Sequence, residues 1–351
     1  MLLHQASHLK FARQGNIVTV CDDLGQCGEP YRMNSMSPFA LQGAAPIHPS
    51  KFLDPGLTAR HEARAVVGLK RLETLWFNTG TLCNLSCRNC YIESSPTNDA
   101  LVYLSLAEVR AFLDEIAKHR LPVREIGFTG GEPFMNRDLV PMIELCLARA
   151  LNVLVLTNAM RPLRRCEPQL LRIVHRERLT FRVSLDHHTE AVHDAERGAG
   201  AWQKAVEGLV WLSTRGFRVS VAGRHLPEEP DETARASYRD LFGRLGIPID
   251  SGNPAELVLF PEMDASADAP EITSDCWRIL NVDPDAMMCA TSRMVVKRKG
   301  ENTPRIAACT LLPHDPRFDM GVTLREANRA VALNHPHCAR FCVLGGASCS
   351  A

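Results

Sequence analysis

The sequence predicts an α/β fold: a partial, open (β/α)6 barrel followed by a small cysteine-rich C-terminal domain. Three observations predict it. Strand-like and helix-like segments alternate from about residue 72 to residue 260. About six such units fit, fewer than the eight of a closed barrel. The rhythm then stops after about residue 262, and much of the chain's cysteine falls beyond that point. The expected domains are 1–70, an N-terminal extension; 71–262, the barrel; and 263–351, the cysteine-rich part.

Residues 1–70 carry a weak pattern. Segment 16–21 (NIVTVC) reads as a strand and 35–55 as a Pro/Gly/Ala-rich loop, with Cys21 and Cys27 as plain thiols. Segment 72–78 (LETLWFN) reads as the first barrel strand. Residues 105–120 read as a helix, because Leu106, Val109, Phe112, Leu113, Ile116 and Ala117 share one face. Ser105 and Glu108 have capping-box spacing at its start. A strand at 123–129 and a helix at 138–150 follow, with Pro141 in the helix's first turn. Next come a strand at 153–157, a helix at 167–175 and a strand at 181–185. Helix 201–214 places Trp202, Ala205, Val206, Leu209 and Leu212 at helical spacing. Strand 218–222, helix 233–245 and strand 256–260 complete the series. Such alternation argues for a parallel sheet with the chemistry at the C-terminal strand ends. Segment 265–272 is acidic and Ala/Pro-rich and reads as a linker or lid. The short elements beyond it fit a region organised around a metal rather than an apolar core.

Composition narrows the function. Of 351 residues, 45% are hydrophobic and 23% charged, as in ordinary globular proteins. Lys+Arg and Asp+Glu are both 40, so a general electrostatic affinity for nucleic acid is not expected. No apolar run approaches the ~18 residues that cross a bilayer, and the start, MLLHQASHLKFARQ, lacks the apolar stretch of a secretory signal. A cytoplasmic location is therefore expected. A reducing cytoplasm does not maintain structural disulfides, so the 13 cysteines point to metal or redox ligation. Cys146 falls on the apolar face of its helix, and both it and Cys166 read as inert thiols.

Cys83, Cys87 and Cys90 form a C-x3-C-x2-C loop directly after the first strand. Three thiolates on one loop can converge on one metal centre. A [4Fe–4S] cube takes four ligands, so three leave one iron open. A structural zinc would want a fourth Cys or His nearby, and the next histidine downstream is His119, inside a predicted helix. Further on, Gly130-Gly131-Glu132-Pro133 ends the second strand, Thr157-Asn158 the third and Ser184-Leu185-Asp186 the fourth, with His193 and Arg197 just beyond.

In this loop and this order of strand-end motifs the chain resembles the radical S-adenosylmethionine (SAM) enzymes, over about residues 72–262. The resemblance implies that Cys83, Cys87 and Cys90 ligate a SAM-binding [4Fe–4S] cluster, and that the Gly130–Pro133 segment holds the methionine amino group. It implies that Asn158, Ser184 and Asp186 contact ribose and carboxylate, and that Arg197 clamps the carboxylate. Two positions depart from the family's pattern. Asn89 stands where a bulky side chain usually packs on adenine, which leaves that contact to Tyr91, and Ala159 stands where glycine often follows Thr-Asn. The implied reaction is reductive cleavage of SAM to a 5′-deoxyadenosyl radical, which takes a hydrogen atom from a peptide or small-molecule substrate. A reductase, flavodoxin or ferredoxin would supply the electron.

The remaining cysteines, Cys276, Cys289, Cys309, Cys338, Cys342 and Cys349, end in C-x3-C-x6-C spacing. Their layout is similar to the SPASM and twitch extensions of that family, which implies at least one auxiliary [4Fe–4S] cluster. Cys289, Cys309, Cys338 and Cys342 are the first candidates for its ligands, Cys276 and Cys349 the next. His335 and His337 read mainly as loop residues, and zinc is the rival metal. Two other functions compete: a non-catalytic iron–sulfur electron carrier and a zinc-stabilised binding protein. Neither accounts for the strand-end motifs.

Overall fold

The computed structural model describes residues 10–14, 17–21, 31–32, 37–41, 43–262 and 264–346. Cys27 and Cys349 lie outside them. The chain divides into two compact units, Met1–Pro38 and Phe39–Ala351. The first holds an antiparallel sheet of β1 (Lys10–Gln14), β2 (Ile17–Cys21) and β3 (Tyr31–Arg32).

The second unit contains short β4 (Val66–Val67) and then β5 (Thr74–Asn78), β6 (Glu125–Thr129), β7 (Asn152–Thr157), β8 (Leu179–Ser184), β9 (Arg218–Arg224) and β10 (Leu257–Phe260). These last six pair in parallel, each with the next in sequence. They are the partial six-stranded barrel. The helices are α1 (Leu106–His119), α2 (Leu139–Ala148), α3 (Arg161–Arg165), α4 (Glu167–Leu170), α5 (Glu190–Arg197), α6 (Ala201–Thr214) and α7 (Asp231–Leu245). All five residues of β5 are buried, as befits a strand covered on both faces. The reciprocal Ser105–Glu108 capping box is present at α1.

Three barrel helices differ from expectation, and the first, α3, has no counterpart in the sequence pattern. The helix expected at 167–175 ends at Leu170. His175 adopts a left-handed conformation (φ 63°), and the Arg176 guanidinium bonds the carbonyls of Leu171 and Ile173 that a longer helix would use. Helix α5 has no counterpart in the apolar pattern, because the residues it buries are His193 and Glu196.

The C-terminal segment is built into the barrel sheet. β11 (Ser292–Val296) is wholly buried and pairs in parallel with β5, and β12 (Arg305–Ala307) closes against β11. Met294, Val295, Val296, Leu311, Leu312, Phe318 and Phe341 join the same apolar core as the barrel. An apolar core therefore organises this segment alongside its cysteines, contrary to the expectation of a metal alone. The acidic stretch expected as linker or lid is instead tied down. Ala267 and Thr273 bridge to Pro46 and Arg64, and Glu271 forms a buried ion pair with Arg64 at 2.6 Å. β13 (Val331–Ala332) pairs with β4, which draws residues 39–70 into the same unit. Short helices α8 (Cys276–Leu280) and α9 (Met288–Thr291) and a π-helical segment, Cys338–Leu344, carry most of the C-terminal cysteines.

Candidate active site

The C-terminal ends of the barrel strands surround a cleft of about 950 Å³, counting the part open to solvent. Cys83, Cys87 and Cys90 all line it, and all are free thiols. Tyr91, Gly130, Gly131, Asn158, Ser184, Asp186 and Arg197 line it too. Seven of the nine residues expected at the cofactor thus meet the cysteine loop in one place.

The other two, Glu132 and Pro133, stand behind the wall. Glu132 is buried, and its carboxylate accepts from the Thr157 hydroxyl (2.8 Å), the Asn158 backbone N–H (2.8 Å) and the Phe134 N–H (3.2 Å). It ties the end of β6 to the end of β7, while Pro133 starts the following 3-10 turn. Burial pushes the Glu132 carboxyl up to about 7, against those three donors. Replacing Glu132 by Gln turns one acceptor oxygen into an NH2 facing a donor. We expect a loss of about 1–3 kcal/mol, read as a lower urea midpoint with unchanged slope.

The two glycines serve the fold before they serve any ligand. Gly131 N–H donates to Gly80 O at 2.8 Å, and Glu132 N–H to Leu82 O at 3.1 Å. A Cβ on Gly131 would overlap the Leu82 carbonyl and stand 2.8 Å from Thr81 O, and one on Gly130 would stand 2.6 Å from Gly80 O. The missing side chains let β6 press against the backbone that leads into Cys83. Gly131→Ala is therefore expected to displace the cysteine loop at a cost of about 1–3 kcal/mol, with reduced iron retention at that loop as the measured sign.

Charge holds the opposite wall. Asp186 is buried and receives both Nε (2.6 Å) and Nη2 (2.9 Å) of Arg197, with Arg224 Nε at 3.6 Å from it. Burial works against ionising Asp186, but Arg197 and Arg224 overcome it and hold the carboxyl well below the usual range. One edge of Arg197 is thus already engaged; the bidentate clamp it forms in this structure is on Asp186, not on a free carboxylate. His193 Nδ1 accepts from the Asp186 backbone N–H at 3.1 Å, and burial pushes this ring down to about 3.

Three residues escaped the sequence reading: Arg224, Glu196 and Glu262. Arg224 ends β9 and lies within 3.5 to 3.8 Å of Glu196 and Glu262. Together they grip Asn89: Glu196 accepts its N–H (2.9 Å), Glu262 its side-chain amide, and Arg224 donates to its carbonyl (3.2 Å). Asn89, the departure from the family pattern, is here an anchor for the cysteine loop. A charged residue at a strand end was the available signal for Arg224.

All-thiol donors suit an iron–sulfur cluster. Burial pushes Cys83 up to about 12 and raises Cys87, so these thiols stay protonated until a cation displaces the protons. The Ser94 N–H points at Cys90 Sγ from 3.4 Å. The residues present fit a cluster with three protein ligands.

Residues 77–241 match the family model of the radical SAM superfamily. The chain thus contains a radical SAM domain. Among curated relatives it is 32% identical over 141 residues to the antilisterial bacteriocin subtilosin biosynthesis protein AlbA of Bacillus subtilis (strain 168), covering 40% of this chain and 30% of that protein. It is 30% identical over 162 residues to the mycofactocin maturase MftC of Mycobacterium ulcerans (strain Agy99), covering 45% and 42%. The matched part thus spans well under half of these relatives. The barrel shares its fold with Streptococcus suis SuiB bound to S-adenosylmethionine, with a TM-score of 0.52 at 12% identity over 72% of this chain and 63% of that one. Within this radical SAM unit, no helix among the described residues is long and apolar enough to cross a membrane.

A second cysteine pocket, of about 370 Å³ counting the part open to solvent, is lined by Cys289, Cys309, Cys338 and Cys342, with His337. Cys276 is not among its lining residues; its sulfur faces the Thr273 N–H (3.4 Å) and hydroxyl (3.3 Å). Arg293, fully buried beside this cavity, donates to the carbonyls of Cys289, Ser292, Ala327 and Arg329 and has no carboxylate partner among the described residues. Burial pushes this guanidinium down to about 10.

Proposed function

We propose that this chain is an enzyme that reductively cleaves S-adenosylmethionine and abstracts a hydrogen atom from a peptide, acting in the cytoplasm with a reductase, flavodoxin or ferredoxin as electron donor. The observation that carries the reading is the convergence of Cys83, Cys87 and Cys90 with Asn158, Ser184, Asp186 and Arg197 on one cleft. A [4Fe–4S] cube on the three thiolates, with its fourth iron open to SAM, would supply the electron that splits the sulfonium and yields the 5′-deoxyadenosyl radical. The protein's part is to position and to exclude water. Asn158, tied to Asn84 at 2.9 Å, and Ser184 offer hydrogen bonds at two adjacent strand ends. Tyr91, directly after the cysteine trio, offers a flat surface for adenine. Phe260 and Pro261 form an apolar part of the wall.

Cys289, Cys309, Cys338 and Cys342 are proposed to hold an auxiliary [4Fe–4S] cluster, and residues 263–351 to act as its domain. Arg293 supports this over zinc-free thiols: a buried cation lacking a carboxylate suits an anionic cluster beside it. Cys276, whose sulfur faces Thr273, stays outside this ligand set, and Cys349 lies outside the described residues. A peptide substrate is supported by the likeness to a bacteriocin biosynthesis protein.

Anaerobic reconstitution followed by SAM and dithionite tests the enzyme reading. We expect about eight irons per chain, four for each cube, and release of 5′-deoxyadenosine. Full iron with no 5′-deoxyadenosine would leave only an electron carrier. About four irons plus bound zinc would assign the second cavity to zinc. Faster release with a small metabolite than with any peptide would move the substrate to the small-molecule class.

A further inference from the structure

Three buried arginines of this chain face carboxylates. Arg64 has Glu271 at 2.6 Å, Arg197 has Asp186 at 2.6 Å, and Arg224 faces Asp186, Glu196 and Glu262. Arg293 is fully buried and has no such partner among the described residues. Its Nε donates to the Ala327 carbonyl at 3.0 Å, Nη1 to those of Cys289 (2.6 Å) and Ser292 (2.8 Å), and Nη2 to that of Arg329 (2.8 Å). These acceptors satisfy the N–H groups but carry no net charge. A neutral donor could staple the same carbonyls without the cost of burying a cation.

The carbonyls that hold Arg293 belong to the wall of the second cysteine pocket. Cys289 lines that pocket, and Ala327–Arg329 lead into Val331, which lines it too. Arg293 itself is the second residue of β11, a strand with every residue buried, so its side chain cannot turn to solvent. Burial pushes the guanidinium down to about 10, while Cys289 and Cys309, when ionised, pull it back up. Both cysteines are in the ligand set proposed above. Four thiolates on a [4Fe–4S]2+ core carry a net charge of about −2, and one-electron reduction takes it to about −3. A cation held beside such a cluster in a dry setting attracts the reduced form more than the oxidised one.

We propose that Arg293 is the counter-cation of the auxiliary cluster and holds its reduction potential up. The proposal rests on the reading of the second pocket as a cluster site. The electron comes from the same donor that serves the first cluster, or from dithionite in the test, and no bond is made or broken at Arg293. Through the Cys289 carbonyl the guanidinium also fixes the backbone of one cluster ligand.

The test uses the full chain, reconstituted anaerobically and titrated at one fixed pH with electron paramagnetic resonance as the readout. Added SAM marks the signal of the cluster with the open iron; the signal that SAM leaves unchanged belongs to the second. Arg293→Gln keeps donors for the carbonyls and removes the charge. At a fixed potential it should shift the second cluster's reduced-to-oxidised ratio about tenfold toward oxidised, about 59 mV for one electron. Arg293→Lys keeps the charge and should stay close to the wild type. An unchanged potential in Arg293→Gln with full iron overturns the proposal and leaves a backbone staple. If Arg293→Gln does not fold, Arg293→Lys decides: a tenfold shift there, with the charge intact, also overturns it. Iron counting comes first and separates the two levels. About four irons per wild-type chain, all in the SAM-sensitive signal, would remove the auxiliary cluster itself and this role with it.

Discussion

Replacing Cys83, Cys87 and Cys90 together by alanine abolishes 5′-deoxyadenosine formation and removes about four irons per chain, while about four remain in the C-terminal cavity. The separation is expected because the two thiol sets line different cavities, one at the strand ends and one among Met288, Leu311, Leu333 and the π-helical segment. The apolar core that surrounds the second set does not use the trio, so the fold survives and the residual iron reports it. Iron and sulfide counts with product analysis check both halves. Loss of all iron would mean that the cavities fold as one, and retained cleavage would end the assignment of the trio.

Asp186→Ala is the second large effect. It leaves Arg197 with no carboxylate and takes one neighbour from Arg224, both in a buried setting. Removing one partner of a buried pair costs about 3–5 kcal/mol. Glu196 and Glu262 still face Arg224, which places the expected loss near the lower end. The Asp186 carboxyl sits well below its usual range. A depressed carboxylate contributes its stability above the unfolded value of about 3.9 and loses it only as the pH falls further. The difference between wild type and variant should therefore be constant from pH 6 to pH 8 in denaturant titrations. A difference that fades toward pH 6 contradicts the ion-pair account. SAM cleavage should fall as well, because the same pair lines the cleft. Asp186→Asn, which keeps the shape, should lose less stability.

The barrel was legible for a local reason. Buried parallel strands are short apolar runs and covering helices repeat every three to four residues, so β5 to β10 and α1, α2, α6 and α7 show in the one-dimensional pattern. Helix α5 did not show, since what it buries is polar: His193 and Glu196 serve the site rather than the core. The cysteine trio and the Gly130–Pro133 segment were legible as motifs, but what their members touch was not. Gly131 meets the Leu82 backbone, and Arg197 meets Asp186.

From the chain alone came the six-stranded parallel architecture and the thiol loop at the first strand end; that Cys289, Cys309, Cys338 and Cys342 line one pocket is what the fold adds. Tertiary structure alone decided that β11 joins β5 from more than 200 residues away, that Arg224, Glu196 and Glu262 anchor Asn89, and that Arg293 lies buried beside the second cavity. Periodicity and spacing record what each segment needs from its immediate neighbours. Which distant surfaces meet, and which charges are left facing one another, depends on the packing of the whole core, and no local pattern carries that.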